Sequence, residues 1–126
     1  LCPATDMAEM FPRFAEQFLA AYGGSPQELP DEYRRRSSRY HAHRLAALPI
    51  AIIHGTGDTV IPVHHAQRLV RELRQCNAPV FYRELEDGDH NAPIKIPLGP
   101  FIEFAAKTAP PGEFPRKSPP AARPSR

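Results

Sequence analysis

The run Ile50-Ala51-Ile52-Ile53, entered through Pro49 and left through Gly55 and Gly57, constrains this chain more than any other segment. Four contiguous apolar residues, most of them β-branched, fit a strand buried on both faces, the setting of a parallel sheet. Such a strand needs neighbours at its edges and helices on both faces, and a parallel neighbour is reached only through a crossover connection. The following residues supply one. From His64 to Arg74 the apolar positions Ala66, Leu69, Val70 and Leu73 recur at helical spacing and predict an amphipathic helix. Val80 to Leu85 reads as a second strand, and Phe101, Ile102, Ala105 and Ala106 as a closing helix. Strand, helix, strand, helix is the rhythm of an α/β layer architecture with right-handed crossovers. Two strands do not finish a sheet, so further strands N-terminal to Leu1 are implied, and residues 1–126 alone are expected to fold poorly.

Ahead of this unit the pattern is less regular. Leu1 to Asp6 reads as the end of a strand running into a turn. Pro12 suits the first turn of a helix, where its missing N–H costs nothing, and Phe14, Ala15, Phe18, Leu19 and Tyr22 follow as an apolar stripe. Gly23-Gly24 is expected to end that helix. Ser25 to Pro30 reads as a loop, and Asp31-Glu32-Tyr33 opens a short helical or irregular stretch through Arg44.

Composition bears on the two ends. The chain has 16 prolines, and six of them (Pro110, Pro111, Pro115, Pro119, Pro120 and Pro124) fall in the last stretch beside Arg116, Lys117, Arg123 and Arg126. Thr108 to Arg126 has little apolar surface besides Phe114 to offset the entropy of ordering, so residues 108–126 are expected to be a disordered tail and residues 1–107 the folded portion. The tail's net charge of +3 exceeds the +2 of the whole chain, leaving residues 1–107 at −1 and removing support for nucleic-acid binding. No apolar window is long enough for a membrane span. Cys2 and Cys76 read as free thiols as readily as a disulfide, so they assign no compartment. The chain starts at Leu1 with no initiator methionine, basic segment or apolar leader, which suggests a piece of a longer protein.

Two side chains stand where such a fold presents chemistry, just past the ends of the predicted strands. Asp58 follows His54-Gly55-Thr56-Gly57, and His90 lies in Asp87-Gly88-Asp89-His90-Asn91. An aspartate that accepts from one ring nitrogen of a histidine fixes its tautomer and lets the other nitrogen act as a base. By itself Gly-Thr-Gly-Asp is also good turn chemistry, and His90 could be a polar loop residue with Asp87 or Asp89 as local partners. Asp89 reads as a turn former and His54 as a packed histidine with its ring bonded nearby. His64 and His65 read as solvent-facing at a helix start, and His41 and His43 as sharing one side of an extended segment. His64, His65, His90 and Asp58 lack the spacing of a zinc motif, so no metal is expected. Arg34, Arg35, Arg36, Arg39 and Arg44 with Tyr33 and Tyr40 read as a solvated face, with one arginine in an internal ion pair. No serine stands in a G-x-S-x-G turn; Ser25, Ser37 and Ser38 all lack the strand, glycines and helix of a nucleophile elbow.

With these residues in view, the chain resembles the C-terminal part of an α/β-hydrolase fold serine hydrolase, most closely the catalytic domain of prolyl oligopeptidase-like peptidases. Ile52-Ile53-His54-Gly55-Thr56-Gly57-Asp58 with Val60-Ile61-Pro62 is similar to that family's acid loop, and Gly88-Asp89-His90 to its histidine loop. Pro30 to Ser37 looks like the segment preceding the acid-bearing strand, and Cys2-Pro3-Ala4-Thr5-Asp6 like the strand end that follows the nucleophile elbow. The resemblance runs from about Cys2 to Lys107. It implies an enzyme that hydrolyses a peptide or small ester through an acyl-enzyme, with Asp58 as acid, His90 as base, no cofactor, and a serine upstream of Leu1. The same motifs occur in carboxylesterase and dienelactone-hydrolase-like enzymes, and a non-catalytic α/β-hydrolase-like binding module is the reading from another class.

Overall fold

A computed structural model describes residues 2–108. Its sheet has two parallel strands, β1 (Ile50–Gly55) and β2 (Val80–Leu85), in register from Ile50 opposite Val80 to Gly55 opposite Leu85. Between them runs helix α5 (His64–Gln75), preceded in the chain by the short helices α1 (Met7–Met10), α2 (Ala15–Tyr22), α3 (Pro30–Arg35) and α4 (Ala42–Leu45). Helix α6 (Gly99–Thr108) closes the described residues. The protein is thus a small α/β unit, as the alternation of strand and helix patterns predicts. The read tail falls almost wholly on residues 109–126, which lie outside the described residues; Thr108 itself ends α6.

The helical spacing read in α5 is what covers the sheet. Ala66, Leu69, Val70 and Leu73 are buried and pack with Ile52 of β1 and Ala42 of α4, with Ile50, Val80 and Tyr82 around them. Each such aliphatic side chain removed from water contributes about 1.5–3 kcal/mol before entropy is counted. Alternation along the strands turns the next residues to the opposite face. There Phe81 meets Phe101 of α6 edge-to-face at 4.9 Å, with Phe104 at 5.7 Å. Helices therefore cover both faces of the strand pair.

The N-terminal segment departs from expectation. Cys2 to Thr5 form no strand, since among the described residues β1 pairs with β2 alone and no ladder partner exists for them. Instead Asp6 caps α1, its Oδ1 accepting from the amides of Ala8 and Glu9. Its Oδ2 accepts from Arg39, which also reaches Glu72 of α5. Arg39 is thus the internally paired arginine of the basic stretch, while Arg35 and Arg36 share Glu32 at the surface. Pro12 lies in a separate 3-10 turn (Phe11–Arg13), so the helix read from Pro12 begins only at Ala15. It ends where expected, at Gly23 with φ of 87°, a left-handed position that glycine takes without strain. Tyr33 lies beneath Phe11, Phe18 and Tyr22 and donates to the Gly24 carbonyl at 3.0 Å.

The histidines correct two expectations. His41 and His43 do not share an extended segment, because Ser38–His41 is a 3-10 turn that runs directly into α4. His65 does not face solvent. It is 1% exposed, with Nδ1 accepting from the Thr5 amide at 3.3 Å and its carbonyl accepting from the Thr5 hydroxyl at 2.9 Å. This pair ties the N-terminal segment across α5 and carries Cys2 toward the loops beyond the strands.

Candidate active site

The loops leaving β1 and β2 emerge from the same carboxyl edge and are joined by backbone hydrogen bonds and one to the Thr56 side chain. The Thr56 amide donates to the Leu85 carbonyl at 2.9 Å, the Gly57 amide to the Gly88 carbonyl at 3.0 Å, and the Asp87 amide to the Thr56 hydroxyl at 2.8 Å. Glycine is required at 55 for a steric reason: a Cβ there would sit 2.0 Å from the Gly88 carbonyl oxygen and 2.8 Å from that of Asp89. The approach of the two loops therefore depends on an absent side chain.

Joined this way, the loops bring the two residues singled out by the sequence together. His90 Nδ1 lies 2.8 Å from Asp58 Oδ2. A carboxylate only accepts, so Nδ1 carries the proton and donates, leaving Nε2 with a lone pair. Among the described residues Nε2 has no hydrogen-bond partner, and the His90 side chain is 36% exposed. The Asp58 side chain is fully buried. Its other oxygen, Oδ1, accepts from the amides of Val60 and Ile61, both at 2.9 Å, so Asp58 forms the turn and faces the histidine at once. Burial by itself would raise the Asp58 pKa. The Ile61 amide, His90, the Val60 amide and the Cys2 thiol outweigh it and hold the carboxyl below its ordinary value.

One residue at this site, Cys2, carried no signal in the sequence, whereas His54 is packed and bonded nearby as read. Cys2 donates through its thiol toward the His90 carbonyl at 3.5 Å, and burial, aided by neighbouring Asp58, pushes its pKa up despite a hydrogen bond with the Gly55 backbone. His54, read as a packed histidine, is fully buried and donates from Nε2 to the Ile61 carbonyl at 2.8 Å. The same nitrogen stands 3.2 Å from Asp58 Oδ2. Asp89 forms a turn as read, Oδ1 accepting from the Asn91 amide at 3.0 Å.

Among the described residues, two groups of side chains have metal-ligating chemistry: Cys2, His54 and Asp58, and Glu9, His64 and His65. Their hydrogen bonds argue against metal centres. His54 Nε2 is committed as a donor to Ile61. His65 Nδ1 accepts from Thr5, which puts the proton on Nε2, the atom nearer Glu9 at 3.9 Å. Glu9 already pairs with His64 and, at 2.8 Å, with Arg68.

The described residues thus form a parallel α/β unit in which a buried aspartate and a half-exposed histidine pair past the ends of adjacent strands. The chain belongs to the prolyl oligopeptidase family, whose model matches residues 2–96. An uncharacterized peptidase, YtmA, of Bacillus subtilis (strain 168) is 33% identical over 58 residues, which make up 46% of this chain and 22% of the relative. The chain thus spans well under two thirds of that relative's length. No solved structure matches it.

Proposed function

We propose that residues 1–107 are the C-terminal portion of an α/β-hydrolase catalytic domain, followed by a tail at 108–126. In this reading Asp58 and His90 are the acid and base of a serine peptidase whose nucleophile lies N-terminal to Leu1. The observation that carries the reading is the 2.8 Å bond from His90 Nδ1 to a buried Asp58, with Nε2 lacking a partner among the described residues. Family membership favours a peptide substrate over an ester, and the absence of a G-x-S-x-G turn from the sequence supports a serine upstream of it.

In that chemistry His90 Nε2 takes the serine proton as the oxygen attacks the scissile carbonyl. Asp58 stabilises the imidazolium that forms, and the same nitrogen then returns the proton to the leaving amine. Water repeats the sequence on the acyl-enzyme. General-base assistance of this kind contributes about 10²–10⁴-fold in rate. By the same logic residues 1–126 alone are inactive, because losing the nucleophile from such a unit costs on the order of 10⁶ in turnover.

The test is made on the full-length polypeptide that carries these residues. A fluorophosphonate should label one serine upstream of Leu1, and His90→Ala should slow labelling by about 10²–10⁴-fold while the protein stays folded. Undiminished labelling of the His90→Ala protein would remove the reading. Comparing a peptide amide with a matched ester separates a peptidase from a carboxylesterase, and absence of any labelled serine would favour the binding module.

A further inference from the structure

The acid loop is held from two sides at one residue. The Ile61 amide donates to Asp58 Oδ1 at 2.9 Å, and the Ile61 carbonyl accepts from His54 Nε2 at 2.8 Å. His54 stands on β1, where its backbone is fixed opposite Glu84 in the strand register. Its ring is fully buried, and Nε2 lies 3.2 Å from Asp58 Oδ2, the oxygen that receives His90. A carbonyl can only accept, so the His54 proton resides on Nε2, between Ile61 and the carboxylate. The N–H dipole therefore presents its positive end to the Ile61 carbonyl oxygen and to Asp58 Oδ2. His54 Nδ1 is buried without a partner, so the ring is not held in place by bonds on both nitrogens. Among the described residues its polar anchorage is through Nε2, to the Ile61 carbonyl and the nearby Asp58 carboxylate. An apolar side chain of similar volume would fill this space more cheaply, since a buried imidazole with one bare nitrogen costs desolvation free energy.

We propose that His54 is a positioning residue for Asp58: from the rigid strand it fixes the 58–61 turn through Ile61, and so sets the geometry at which the carboxylate meets His90. The inference rests on the reading of Asp58 and His90 as acid and base. His54 touches no substrate and moves no proton. Its contribution is to keep the Asp58 oxygens where the Val60 and Ile61 amides and His90 reach them together. A displacement of about 1 Å in such a constellation can cost on the order of 10²-fold in rate.

The experiment uses the full-length protein and the rate of fluorophosphonate labelling at saturating probe, with three substitutions at one position. His54→Leu keeps bulk and removes the donor. His54→Asn has an amide too short to reach the Ile61 carbonyl. His54→Gln places an amide N–H near the position of Nε2. The expected result is a fall of about 10–100-fold for Leu and Asn with the half-saturating probe concentration unchanged, and recovery to within about threefold for Gln. A readout that mere packing would not move is the low-field proton resonance of His90 Nδ1–H. It should broaden or shift in the Leu and Asn proteins and return in Gln. Equal rates in all three variants, whether high or low, overturn the proposal, as does failure of His54→Gln to fold. If Leu alone does not fold, the Asn and Gln pair decides. Asp58→Asn and His90→Ala run alongside keep the two ideas apart. Full activity in those sinks the acid-base reading, whereas loss there with a flat series at 54 sinks this inference alone.

Discussion

Replacing Gly55 by alanine tests the loop junction with a single methyl group. The added Cβ would lie 2.0 Å from the Gly88 oxygen, 2.5 Å from the Gly88 carbonyl carbon and 2.8 Å from the Asp89 oxygen. All three are backbone atoms, so no side chain can rotate away. Restoring an ordinary contact requires the histidine loop to retreat by over an ångström. That retreat breaks the bond from the Gly57 amide to the Gly88 carbonyl and pulls His90 from Asp58. Overpacking of this kind costs about 1–3 kcal/mol. A misplacement of this size lowers the rate on the order of 10²-fold. The assay is the urea midpoint of the full-length protein together with its fluorophosphonate labelling rate. Gly99→Ala is the control, because a Cβ at the first residue of α6 meets nothing within 4 Å and should leave stability unchanged or slightly higher. A Gly55→Ala protein that matches wild type in both stability and labelling would refute the steric argument.

Acidification should lower stability in two stages. Burial depresses the His65 pKa, so on acidification the unfolded chain takes up a proton that the native protein refuses, and stability falls from about pH 6.5 down to the depressed native value. The Asp58 and Glu9 carboxyls are held below their ordinary values, so their contributions persist above about pH 4 and are lost as pH falls through the native values. His65→Asn, whose side-chain oxygen can still accept from Thr5, should flatten the first stage in urea titrations, and an unchanged slope would contradict the assignment. The thiols should also differ. Cys76 is exposed, while burial and Asp58 push Cys2 up, so maleimide at neutral pH should modify Cys76 well ahead of Cys2, and equal rates would show that Cys2 is not packed against the acid loop.

What could be read in the sequence follows from the range of each interaction. Helix α5 carries its burial in a local period and β1 in a contiguous apolar run, and the structure places β1, β2 and α5 at Ile50–Gly55, Val80–Leu85 and His64–Gln75. Asp58 and His90 were legible because glycine-rich loops past two predicted parallel strands must leave the same edge. Helix α1 was not, since a four-residue turn held by the Asp6 cap has no period to detect. His65 was misread because its burial is imposed by Thr5, sixty residues earlier in the chain. The place of Cys2 against Asp58 is equally long-range. The role of Gly55 became visible only when Gly88 was seen against it, although the glycine itself marked the turn.

Whether Asp58 and His90 act as one unit is measured most directly by a double-mutant cycle on the full-length protein. Fluorophosphonate labelling rates are compared for Asp58→Asn, His90→Ala and the double variant. If the carboxylate serves only through the imidazole, the double variant should be no slower than His90→Ala, within about twofold, because residues of one catalytic unit lose their effects together. Losses that multiply, with each substitution acting independently of the other, would contradict it.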